Sequence, residues 1–185
     1  MIRPAALLLA AALLAPGGVA GQGTERKPPL DQLLSALQVA PSEEAAAALE
    51  ASIRTGWAEQ ASPAVRLLLT RGAREVGEGA AAEALDSFDA ALDLEPELPE
   101  AWRGRAQARY RLGDTPGAVR DIQETLRREP RHFVALQDLS RMSEGTGDWR
   151  GALAAWEQAL ALNPRMPEGQ ARLRDLRRRA LGEEL

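Results

Sequence analysis

The stretches GAAAEALDSFDAALDLEP (79–96), GDTPGAVRDIQETLRREP (113–130) and GDWRGALAAWEQALALNP (147–164) stand 34 residues apart and align without a gap. Each begins on a glycine and ends on a proline. Each also carries apolar residues at shared places: Ala84, Ala118 and Ala152; Phe88, Ile122 and Trp156; Leu92, Leu126 and Leu160. A fixed period of this length marks a repeat architecture. Within each unit one apolar stripe at helical spacing runs up to the glycine and a second runs from it to the proline. Nothing shows the alternation of a half-buried strand. Each unit is therefore expected to be two antiparallel helices, near 64–77 and 81–94, 98–112 and 115–128, and 132–145 and 149–162.

The punctuation between these stripes agrees. Ser62-Pro63 and Thr115-Pro116 are each expected to be an N-cap followed by proline at the first helical position, where the missing N–H is harmless and the fixed φ suits a helix start. Pro99 and Pro167 lie three residues after Pro96 and Pro164, where new helices should begin.

On the N-terminal side, Leu30, Leu33, Leu34 and Leu37 share one helical face. Pro41-Ser42 stops that helix, and Ser42 caps a second in which Ala45, Ala48, Leu49, Ser52, Ile53 and Trp57 continue at helical spacing, with Glu43 and Glu44 at its positive end. Residues 30–62 thus form a helical hairpin that misses the 34-residue columns; a degenerate repeat, a cap and a flap over the binding face are its three readings. On the C-terminal side, residues 167–181 place Leu173, Leu176 and Ala180 on one face and Arg172, Arg174, Arg178 and Arg179 facing away. This is the expected cap for the last apolar face of a stack. Glu168 with Arg172 and Asp175 with Arg179 are (i, i+4) pairs in the better orientation.

The first 29 residues are read apart from the fold. Arg3 precedes an unbroken Ala/Leu run over 5–15, and Gly18-Val19-Ala20 has the small-x-small pattern of a signal-peptidase site. The run is about 11 residues where a membrane-crossing helix needs about 20. A signal peptide over 1–20, cleaved near Ala20, and a flexible leader over 21–29 are expected. Export without any cysteine points to a bacterial periplasm.

Composition narrows the chemistry. The chain has 185 residues, no cysteine and a single histidine, His132, so disulfides, thiolate-zinc sites, a cysteine nucleophile and two-histidine metal sites are excluded. A formal net charge of −4 lacks the basic balance that phosphate-backbone binding demands, and no nucleic-acid partner is expected. VGEGAA (76–81) lacks the third glycine and the preceding strand of a dinucleotide site. No catalytic elbow, metal-binding helix or phosphate loop occurs. No enzyme activity, cofactor or metal is expected.

The repeated columns resemble tetratricopeptide repeats over about 65–164: a 34-residue helix-turn-helix with a large early residue (Leu68, Trp102, Leu136), small residues where helices cross (Gly72, Ala106, Ser140; Ala84, Ala118, Ala152) and a closing proline. The family usually has Leu where Arg71 and Arg105 stand, and an aromatic where Glu75, Arg109 and Ser143 stand. The resemblance implies an all-α, right-handed solenoid over 63–181, with repeats near 65–98, 99–132 and 133–166. It also implies a concave groove lined by the first helix of each unit. Its positions fall on Arg66 and Thr70, on Glu100, Arg103, Gln107, Tyr110 and Arg111, and on Gln137, Asp138, Arg141 and Glu144. Arg103, Arg111 and Arg141 are suited to bidentate bonds with carboxylates, Gln107 and Gln137 to a ligand backbone, and Tyr110 to an apolar platform. The implied function is an adaptor of the cell envelope that binds another protein through an acidic peptide segment or C-terminus. The two-carboxylate clamp of the chaperone-adaptor branch is only partly matched, since Val134 and Asp138 stand where basic residues belong. The alternative is a self-associating structural module in which one chain's hairpin packs on another's repeats. The Arg177–Arg179 run is read first as a solvated face and second as a contact for anionic lipid headgroups or an acidic partner.

Overall fold

The computed structural model describes residues 28–182. The expected signal peptide and most of the leader lie outside these residues. The described chain is α1 (Leu30–Gln38), α2 (Glu43–Glu59), α3 (Pro63–Glu78), α4 (Ala81–Leu94), α5 (Pro99–Arg111), α6 (Thr115–Arg128), α7 (Phe133–Gly145), α8 (Trp149–Leu162) and α9 (Gly169–Leu181), with no strand among the described residues.

The starts and stops follow from side-chain chemistry. Ser42 and Ser62 accept hydrogen bonds from the amides of Ala45 and Val65 at 3.2 and 3.4 Å. The cap of α6 is Asp114 rather than Thr115: its carboxylate accepts from the Gly117 amide at 2.9 Å, as Asp148 does from Gly151. The repeated Gly-Asp dipeptide therefore splits its work. Gly113 and Gly147, at φ 84° and 76°, turn the chain out of one helix, and the aspartate that follows caps the next. The last helix also begins later than its proline suggests, because Glu168 sits at φ 57° and α9 starts at Gly169.

Helices α3 with α4, α5 with α6, and α7 with α8 form three antiparallel pairs stacked side by side, and α9 packs on α8. Ala84, Ala118 and Ala152 are fully buried at the crossings. Gly72 is required where it stands, since a Cβ there would lie 2.8 Å from Phe88 Cζ. Phe88, Ile122 and Trp156 fill the space between layers.

The polar departures from the repeat pattern are satisfied within their own units. In the first unit Glu75 accepts from Arg71 Nε and Ser87 Oγ, both at 2.7 Å. In the second, Asp121 is buried and accepts from Arg105 Nε and Nη2 at 2.9 Å and from Arg109 Nη1 at 3.0 Å. Arg105 lies over the Trp102 ring, 4.6 Å from its centroid, and Arg128 lies over it at 4.7 Å.

The N-terminal hairpin does not continue the stack. Instead of packing on α3 as a preceding repeat would, α2 reaches α5 and α1 reaches α8. Leu34, Leu37, Ile53 and Trp57 form one core with Phe133 and Val134, flanked by Leu162. Asn163 Nδ2 donates to Glu50 at 2.5 Å, Arg131 pairs with Asp31, and the Ser62 amide donates to Glu95 at 3.0 Å. The hairpin is thus a flap strapped across the turns between repeats. It covers the beginning of α7, including Val134, a groove position by register.

Candidate peptide-binding groove

Helices α3, α5 and α7 pack along one another and form the inner face of the stack. A chain of polar contacts crosses this face, starting under the flap. His132 Nδ1 accepts from the Ala135 amide at 3.2 Å and so caps α7, while its Nε2 lies 3.1 Å from Glu100 Oε1. Glu100 accepts from Arg103 Nε and Nη2 at 3.0 and 2.9 Å. Burial alone would push the Glu100 carboxyl up, but Arg103 and His132 outweigh it and hold the group at about 2. Burial likewise works against the Arg103 charge, yet Glu100 and Asp138 raise its pKa above the usual arginine value.

Asp138 is the hub. Only 3% exposed, it accepts from Arg103 Nη1 at 3.4 Å, Gln107 Nε2 at 3.2 Å and Arg141 Nη1 at 3.1 Å. Beside it opens a pocket of about 350 Å³, lined by Val76, Gln107, Tyr110, Arg111, Asp138, Arg141 and Met142. Two arginines, one carboxylate, one amide, one phenol and two apolar side chains surround this space. The arrangement suits a segment that offers a carboxylate next to an apolar side chain.

Of the residues expected to line the groove, Gln107, Tyr110, Arg111, Asp138 and Arg141 come together here. Arg66 does not: it is exposed on α3, away from this pocket. Gln137 faces a neighbouring hollow shared with Arg141, Trp156, Met166 and Arg172, and its Nε2 donates to Met166 Sδ at 3.1 Å. Arg103 differs from the expectation most. It was expected to await a ligand carboxylate, but Glu100 and Asp138 already provide two, so it builds the site instead of meeting the ligand. The cations left facing outward are Arg111, which has no ion-pair partner among the described residues, and Arg141, whose side chain is 61% exposed.

Sequence reasoning missed Val76 and Arg172. Both were visible in the period: Val76 stands 34 residues before Tyr110, and Arg172 stands 34 after Asp138. Arg172 turns inward, pairing with Glu144 and lying 4.7 Å from the Trp156 ring centroid; the expected Glu168 partner is displaced by its left-handed turn.

The comparisons bear on this geometry. No family model matches the chain. A TPR repeat-containing protein of Rhizobium etli is 32% identical over 135 residues, which cover 73% of this chain and 66%, just under two thirds, of that protein. The first TPR of Spaghetti (RPAP3) bound to the HSP90 peptide SRMEEVD superposes with a TM-score of 0.59 at 23% identity, over 64% of this chain and 94% of that one. The chain has the fold of tetratricopeptide repeat domains. The TPR2AB domain of yeast Sti1, in complex with an HSP90 peptide, shares the fold over 82% of this chain and 60% of its own, with a TM-score of 0.55 at 15% identity. The MamA protein does so over 83% and 88%, with a TM-score of 0.51 at 17% identity. In this chain the flap covers the start of α7, and the Arg111 and Arg141 end of the groove stays open.

Proposed function

We propose that this chain is a non-enzymatic adaptor of the TPR type that binds an acidic peptide segment or C-terminus of another protein in the pocket between α5 and α7. The observation that carries this reading is the pair of outward-facing arginines, Arg111 and Arg141, set beside Tyr110, Val76 and Met142 in one 350 Å³ space. Solved TPR domains that share the fold hold HSP90 peptides, which supports a peptide as ligand class. The Arg-led apolar run and small-residue site over 1–20 support export, and the proposed place of work is the bacterial periplasm.

The test is binding of a fluorescent peptide with acidic residues and a free C-terminal carboxylate, measured by anisotropy. The wild-type chain should bind it, and Arg111→Glu with Arg141→Glu should abolish binding while circular dichroism stays unchanged. Equal affinity in the double variant overturns the reading. Export is tested by fractionation of cells expressing the full chain, where a mature N-terminus at Gly21 is expected and a cytoplasmic, unprocessed chain refutes it.

A further inference from the structure

Charge is segregated along this molecule. Within the stack, residues 63–100 carry 9 Asp and Glu against 3 Arg, a net of −6, whereas residues 101–182 carry 16 Arg against 10 Asp and Glu, a net of +6. A solenoid keeps that order in space, since each repeat touches only its neighbours.

Part of the imbalance lies on two outward helix faces. On α4, Glu83, Asp86, Asp93 and Leu94 are exposed along one stripe, with half-buried Ala90 between them. Glu83 and Asp93 have no hydrogen-bond or ion-pair partner among the described residues, and Asp86 has only an attraction to Arg71. On α9, Arg172 over Trp156 and Arg179 over Trp149 turn back to hold the helix in place. Arg174, Arg177, Arg178 and Leu181 stay exposed; Arg177 pairs with Glu157 at 2.8 Å and Arg178 with Asp175 at 3.2 Å, both still open to solvent on one side, and Arg174 is without a partner among the described residues. The stripes match in spacing: Glu83, Asp86 and Ala90 fall at i, i+3 and i+7, as do Arg174, Arg177 and Leu181. Two acids and a small residue on one helix thus match in spacing two arginines and a leucine on the other.

The end of the stack offers no rival geometry. Leu67 stands where Ala101 and Ala135 stand in the next two units; both alanines are fully buried under the preceding second helix, whereas Leu67 is 74% exposed. A leucine there blocks the close approach that a further repeat needs. A second copy cannot extend the superhelix from that end, and the contact the charges favour is sideways.

We infer that the chain associates with a second copy of itself head to tail, the basic face of α9 on one copy lying on the acidic stripe of α4 on the next. The two patches differ, so the contact is heterologous and propagates into a ring or a filament. Because it rests on opposite charges at the surface, it strengthens at low ionic strength. It leaves the groove of every copy open, so it stands independently of what the groove binds.

The test is sedimentation velocity of the full chain over a concentration series between about 0.02 and 0.5 M salt, a range over which the Debye length falls well below 10 Å. At the low end the weight-average mass should rise with concentration to at least twice that of the monomer, and it should return to the monomer at the high end. Arg174→Glu with Arg177→Glu, and separately Glu83→Arg with Asp86→Arg, should each stay monomeric, and an equimolar mixture of the two variants should associate again. That rescue requires both variants to be folded. A wild-type chain that stays monomeric at low salt, association that survives either reversal, or a mixture that stays monomeric overturns the inference. Peptide binding in the groove should persist in both variants, which separates this outcome from that of the adaptor reading.

Discussion

Trp57 lies flat against His132, with ring centroids 3.9 Å apart and planes 14° from parallel, and tilts onto Phe133 at 5.3 Å. One side chain of the flap thereby meets both the cap and the first residue of α7. Truncating a buried tryptophan costs about 3–5 kcal/mol. Only residues 60–62 join the flap to the stack, so the loss should be local. Trp57→Ala should remove amide-exchange protection from 30–59 and leave 81–162 protected. Trp57→Phe should recover most of it, because the indole N–H is buried without a partner. Uniform loss across the chain, or none, would show that Trp57 is not the anchor.

The buried Asp121 network invites a swap written in the chain itself. The positions of Arg105, Arg109 and Asp121 are occupied in the third repeat by Leu139, Ser143 and Ala155. Removing one partner of a buried ion pair costs about 3–5 kcal/mol, whereas replacing the whole set by packed residues is often neutral. Asp121→Ala should therefore lower the melting temperature sharply. Adding Arg105→Leu and Arg109→Ser should bring it back toward wild type, as read by thermal denaturation. A triple variant less stable than Asp121→Ala would refute the exchange.

The repeated columns made the stack legible in the sequence because burial acts on every unit alike. Ala84, Ala118 and Ala152 had to be small for the same reason three times over. The caps were read less well: Thr115 looked like the N-cap of α6, but the carboxylate one residue earlier reaches the Gly117 amide and takes that place. The groove was half legible. Periodicity placed Gln107, Tyr110, Arg111, Asp138 and Arg141 on one face, and these are five of the seven residues that line the pocket. It could not show that Asp138 would neutralise Arg103, since that pairing joins positions 35 residues apart on two helices. Nor could it place the flap, whose contacts with Phe133, Val134 and Leu162 follow no repeat register.

Phe88 sets the spacing between the first two repeats through two glycines. A Cβ on Gly72 would lie 2.8 Å from Phe88 Cζ, and one on Gly104 would enter the same ring. Alanine normally favours a helix over glycine by about 1 kcal/mol, but overpacking a rigid ring costs about 1–3 kcal/mol. Gly104→Ala should therefore destabilise in urea denaturation, and Phe88→Leu in the same chain should relieve part of the loss. Gly77→Ala, on the same helix as Gly72 but facing open space, should be neutral or stabilising by up to about 1 kcal/mol. Equal effects at 77 and 104 would remove Phe88 as the cause.

Glu100 ties acid stability to the groove. Its folded pKa of about 2 lies below the ordinary 4.5 of the unfolded chain, so its contribution is complete above about pH 4.5 and is lost as the pH falls toward 2. A shift of that size corresponds to about 3 kcal/mol, with Arg103 and His132 as the partners that supply it. Glu100→Gln should lower the urea midpoint at pH 7 and leave it nearly unchanged near pH 2, where about half of the wild-type carboxyl is protonated and most of its contribution is gone. The pH dependence between 4.5 and 2 should accordingly flatten in the variant, although the other carboxylates keep a residual slope. Parallel profiles for the two chains, offset by a constant amount, would mean that the loss at neutral pH comes from packing and that the charge of Glu100 is not what holds Arg103 in place.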